Sequence, residues 1–139
     1  MSGIQKQYTV AALVYVHKDD HRNGSTVKSQ WRISEERERD IFSLAMSSAW
    51  KDGDQKAWGL FMHGTTVSEI GCAVDRSRIL YLAKFVGAEQ PAMWHGYPAD
   101  HQANNADIPC NSILKAWMSE NVIPKAAISR IAKGKPWTP

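Results

Sequence analysis

The chain has 139 residues, 43% of them apolar and 22% charged, with a net charge of +3. That is the length and make-up of one globular domain, large enough to bury a core without a disulfide or a structural metal, and it argues against wholesale disorder. The longest apolar run, Val10 to Val16, is far too short to cross a membrane as a helix, so no membrane partner is expected.

Tyr8 to His17 is β-rich and apolar and reads as one central strand buried on both faces. Lys18 to Ser25 is a polar loop with a turn signal at Asn23-Gly24. Thr26 to Ile33 alternates, with Val27, Trp31 and Ile33 inward, and predicts a second strand antiparallel to the first. Ser34 then caps a helix whose first turn carries Glu35, Glu36 and Glu38, and whose apolar stripe is Ile41, Phe42, Ala45, Met46 and Ala49. The charges at 35–39 read as a solvated face, and the helix ends near Trp50.

Ala57 to Met62 is a short third strand. Residues 66–86 admit two readings. Thr66-Val67-Ser68-Glu69 fits a helical capping box, with a faint helix-turn-helix look after it. A hairpin, Val67 to Val74 and Arg78 to Val86 around Asp75-Arg76-Ser77, accounts for more residues and is preferred. Residues 87–111, with Pro91, Pro98 and Pro109, read as a long ordered loop. Two helices close the chain over 112–134. Ser112 to Asn121 forms the first, Pro124 opens the second and Gly134 stops it.

The predicted architecture is a single α+β domain. It has a mainly antiparallel sheet of about five strands, one packed helix and a C-terminal helical hairpin. Its expected core is Val10, Ala12, Val14, Ile33, Phe42 and Leu60, continued by Ile70, Leu80, Leu82, Leu114, Trp117, Ile128 and Ile131. The six tryptophans supply core and rim packing, and one or two could anchor a partner.

The densest chemistry lies in WHGYPADH, residues 94–101. Histidine moves protons near neutral pH and a carboxylate can orient it, so His63, His95, Asp100 and His101 could form a hydrolytic or metal site. Their spacing matches no standard ligand set, and HExxH, GxSxG, CxxC and glycine-rich phosphate loops are all lacking. No metal and no cofactor is therefore expected. The same segment, through Trp94, His95, Tyr97, Asp100 and His101, could instead form a binding surface.

Positive charge gathers at the end of the chain, where residues 111–139 carry five basic groups against one acid. Lys125, Arg130 and Lys133 would form a basic outer face able to meet an acidic protein or nucleic-acid phosphates. Two isolated cysteines, Cys72 and Cys110, and the lack of a secretory leader point to a reducing cytoplasm. The expected function is a small non-enzymatic protein-binding factor of the inhibitor, immunity or antitoxin type. Nucleic-acid binding through the C-terminal hairpin and a histidine-dependent enzyme are the alternatives, and a homodimer is possible through an open sheet edge.

Overall fold

Where one strand was expected, the chain makes a hairpin. The computed structural model describes residues 7–88 and 93–139. In it Gln7–Val10 (β1) and Leu13–Val16 (β2) pair antiparallel. The two residues between them, Ala11 and Ala12, have φ of 51° and 63°. Both central residues of such a two-residue turn need positive φ, which alanine adopts reluctantly, so nothing in the residue types announces it. Ala12, expected in the core, is exposed at the turn.

Of Thr26 to Ile33 only Gln30–Trp31 (β3) is strand, and it does not pair with β1 or β2. The helix forms as expected. Glu35–Ser47 (α1) is capped by Ser34, whose hydroxyl accepts from the Arg37 amide at 3.1 Å, and it buries Ile41, Phe42 and Ala45. Its charged face is not wholly solvated, because Glu38 is only 1% exposed.

Lys56–His63 (β4) follows. Residues 66–86 are extended as preferred, not helical, though in four short pieces: Thr66–Ser68 (β5), Gly71–Cys72 (β6), Ile79–Leu80 (β7) and Leu82–Gly87 (β8). β6 and β7 pair across the expected turn.

The stretch expected as a loop holds a strand. Met93–Ala99 (β9) pairs antiparallel with β8 from Leu82↔Ala99 to Gly87↔Trp94. Pro98 disguised it, since proline is rarely central in a sheet. β2 pairs with β9 only at Met93 and Trp94, so Pro98 lies beyond that neighbour's reach. A short 3₁₀ turn, Asn105–Asp107, leads to Asn111–Ser119 (α2) and Lys125–Ala132 (α3), the expected helical hairpin.

The class is α+β. The main sheet has six strands in the order β1-β2-β9-β8-β4-β5 and is mixed, because β2 and β9 run parallel. A second sheet, β3-β6-β7, has three. One face of the main sheet meets α1, where Phe42 lies 4.7 Å from Tyr15, 5.2 Å from Phe85 and 5.7 Å from Trp94, ring centre to ring centre. Gly96 makes this possible, as a Cβ there would stand 2.3 Å from Phe85. Trp58, Lys84 and Tyr97 share a cross-strand row whose alternation places it on the opposite face.

Eight of the expected core positions, among them Phe42, Leu60, Leu82 and Trp117, are buried, and Val10, Ile33 and Ile128 pack partly buried against them. Five tryptophans are core residues and Trp137 rests half-buried on Tyr81. Among the described residues, no helix is long and apolar enough to cross a membrane.

Candidate functional site: a cleft where the small sheet meets β9

The residues singled out in the sequence go to different places. Trp94 is 6% exposed and sits on Phe42, so it is a core residue and not a surface anchor. Asp100 is buried in a bidentate pair with Arg78, at 2.6 and 2.5 Å, and also accepts from the Ala103 amide. Buried His101 uses Nε2 to donate to the Lys135 carbonyl at 2.8 Å, tying down the C-terminal tail. His63 is exposed at the end of β4, edge-on to Phe61. His95 is half-buried on β9, and burial pushes its pKa below the usual 6.5, with Lys18 and His21 adding to the effect. No group of three or more His, Cys, Asp or Glu side chains is arranged to hold a metal ion among the described residues. Lys125, Arg130 and Lys133 are all exposed on or beside α3.

Tyr97 and Asp100, however, share the wall of a cleft of about 610 Å³ with residues the sequence did not flag. Its walls come from 27–29, from the β6–β7 turn at 73–75, and from the end of β9 with the turn that follows. Such a volume suits a small ligand or a few side chains of a partner.

The walls are built from cross-strand pairing. Lys84 on β8 lies opposite Tyr97 on β9, and the 3₁₀ turn brings Asp107 to both. Tyr97 donates its hydroxyl to Asp107 Oδ1 at 2.8 Å, the Asp100 amide donates to Oδ2 at 2.8 Å, and Lys84 Nζ is 3.6 Å from Oδ1. Lys84 also donates to the Ala106 carbonyl. Burial lowers the Lys84 pKa, against the pull of Asp107, and burial with the Asp107 charge raises that of Tyr97. The hydrogen bond to Asp100 raises that of Arg78.

His21 completes the wall. Its ring stacks on Tyr97 at 5.1 Å, and Nδ1 lies 3.0 Å from the Ser29 carbonyl. A carbonyl only accepts, so Nδ1 carries the hydrogen and neutral Nε2 is left as an acceptor. Burial lowers the His21 pKa from 6.5, which keeps that neutral form at pH 7. The charged atom facing Nε2 is Asp20 Oδ1 at 4.0 Å, outside hydrogen-bond range. Ser29 in turn donates to the Pro98 carbonyl at 2.8 Å, clamping this wall to β9.

A second polar cluster lies under α1, with Tyr15, His17 and Glu38 buried and Arg22 and Arg39 partly exposed at its edge. Tyr15 donates a short hydrogen bond to Glu38, and Arg22 donates to the same carboxylate at 2.7 and 3.2 Å. Burial, then the Glu38 charge, raises the Tyr15 pKa. His17 Nδ1 is 3.2 Å from Glu38 but outside hydrogen-bond geometry, and its Nε2 lies 3.0 Å from Arg39, which can only donate.

Comparison of the chain with protein-family models, curated proteins and solved structures finds no match. What the cleft does is therefore read from its own geometry.

Proposed function

We propose that the chain is a protein-binding factor and that a segment of its partner seats in the cleft. The observation that carries this reading is the rim. Val27 is 72% exposed and Val74 is 43% exposed, and both line the mouth of the cleft. Apolar side chains held in water around a concave site are what a docking segment covers. The rim is also set in advance. Arg76 donates to the Ser25 and Val74 carbonyls, both at 2.7 Å, which joins its two sides and lowers the ordering cost of binding.

Below the rim the charged groups are engaged with one another, Arg78 with Asp100 and Lys84 with Asp107. Groups engaged in this way serve to shape a binding wall and are not free to react. Of the segment 94–101, this reading keeps Tyr97 and Asp100 as cleft walls. With Cys72 and Cys110 both free, such a factor suits a reducing cytoplasm, where it would act as inhibitor or immunity proteins do, by covering another protein.

Capture from the native cell, followed by mass spectrometry, tests the proposal. The unaltered chain should retain a stoichiometric protein that Val27→Glu/Val74→Glu loses. A parallel variant, Lys125→Glu/Arg130→Glu/Lys133→Glu, should keep it. If the rim variant keeps the partner and the basic-helix variant loses it, or if nucleic acid is recovered instead, the cleft is not the docking surface.

A further inference from the structure

We propose that the free edge of β5 takes up an extended acidic segment of another protein, which adds to the main sheet as a seventh strand beside α3. The place is a groove of about 400 Å³, with Thr65, Thr66 and Val67 on one side and α3 and the C-terminal tail on the other. No residue lines both this groove and the cleft, so the inference stands apart from the docking reading.

The backbone carries the first observation. β5 ends the main sheet, paired with β4 alone. The two strands turn through Gly64-Thr65, with Gly64 at φ 62°, so the flanking pair His63↔Thr66 is a hydrogen-bonded one. Alternation makes Met62↔Val67 a non-bonded pair, in which the Val67 N–H and C=O point away from β4. Among the described residues no group is placed to bond either of them. Val67 is only 6% exposed, and a buried backbone pair left open is costly. Thr66 and Val67 send their side chains to opposite faces of the sheet, yet both line the groove. The groove therefore runs along the strand edge, where an added strand lies, and not over one face.

The second observation is the character of the opposite wall. Val122, Pro124, Ala126, Ala127 and Trp137 make it apolar, and Arg130 is the sole charged side chain of the lining. Arg130 donates through Nε to the Pro136 carbonyl at 2.7 Å. That bond fixes the guanidinium and leaves its two terminal nitrogens, the fork that suits a carboxylate. Lys125 and Lys133, exposed on or beside the same helix, add to the positive potential. An extended segment with apolar side chains and a carboxylate matches this wall, and backbone pairing with Val67 would hold it in register.

The test uses the full chain and the capped peptide acetyl-Glu-Val-Thr-Val-Glu-amide, with forms in which glutamine or lysine replaces both glutamates. Binding is followed by the backbone amide resonances. The glutamate peptide should shift the Val67 amide and slow its exchange with solvent. It should bind about twofold to fivefold more tightly than the glutamine form, the range of one exposed ion pair, and the lysine form should be weakest. Alternate amides of a strand point to opposite edges. Of two N-methylated peptides, one blocked at the valines and one at the other residues, one should therefore bind about twofold to tenfold more weakly and the other as before. Arg130→Gln should erase the preference for glutamate. Ala126→Glu, at an exposed position that leaves the bond from Arg130 to Pro136 in place, should weaken the glutamate peptide and not the lysine one. Val27→Glu/Val74→Glu should bind the peptides as the unaltered chain does, and loss there would put the peptide in the cleft and overturn the inference. An unmoved Val67 amide, equal effects of the two methylation patterns, or a lysine form as tight as the glutamate form would overturn it too. So would self-association that shifts the Val67 amide without peptide, since a second copy would then hold the edge.

Discussion

The chain contains the same polar group twice, once buried and once open. Under α1, Tyr15 donates to Glu38, Arg22 supplies the cation, and His17 lies edge-on to the tyrosine at 5.3 Å. In the cleft, Tyr97 donates to Asp107, Lys84 supplies the cation, and His21 stacks on the tyrosine. The difference is the last acceptor. Arg39 uses up His17 Nε2, while among the described residues no donor is placed on His21 Nε2, which lies 4.0 Å from Asp20 Oδ1. Under α1 the Glu38 carboxylate is held by Tyr15 and Arg22, a fastening that leaves only His17 Nδ1 of its histidine without a hydrogen bond. In the cleft the same group forms part of an open wall, lined by His21, Tyr97 and Asp107.

The comparison breaks most visibly at the buried cluster. Glu38→Ala leaves Arg22 and Tyr15 facing a buried gap and should cost about 3–5 kcal/mol, the usual result of removing one partner of a buried pair, measured by urea unfolding. A loss under about 1 kcal/mol would mean that the cluster is solvated after all. Tyr97→Phe removes a single hydrogen bond to a carboxylate that keeps two other partners, and should cost only about 1–2 kcal/mol.

Acid sharpens the contrast at His21. Its folded pKa lies below 6.5, so the unfolded chain binds the proton more readily. Its contribution is therefore complete above about pH 6.5 and drains away as pH falls toward the folded value. Melting temperature measured from about pH 7 to about pH 5.5 should decline less steeply in His21→Gln than in the unaltered chain. Parallel curves would mean that His21 is not buried. His95, shifted the same way, leaves a residual slope in the variant. The smallest effect belongs to the rim, where Val27→Glu should change stability by under about 0.5 kcal/mol, so that any loss of partner is a loss of binding and not of folding.

What the residue pattern revealed was whatever is local. Ser34 with the stripe at Ile41, Phe42 and Ala45 placed α1, and Pro124 and Gly134 bracketed α3, because caps and periodicity act within a few residues. β9 stayed hidden because Gly96 and Pro98 are loop residues by habit, and the glycine is explained only by tertiary packing, with the Phe85 ring and the Tyr15 hydroxyl leaving no room for a Cβ. Tyr97 and Asp100 stood out by chemical density alone. His21, Lys84 and Asp107 did not, since no spacing along the chain joins them. Their meeting depends on the Lys84↔Tyr97 register and on a turn seven residues past Asp100.

The alanine pair at residues 11 and 12 has a consequence for the order of assembly. A hairpin whose bend opposes its own closure does not nucleate unaided. This corner of the sheet must be templated, with Tyr15 meeting Trp94 on one side and Glu38 on the other before the bend can close. Backbone amides of the N-terminal ribbon should therefore exchange with solvent long before those of β4 and β8.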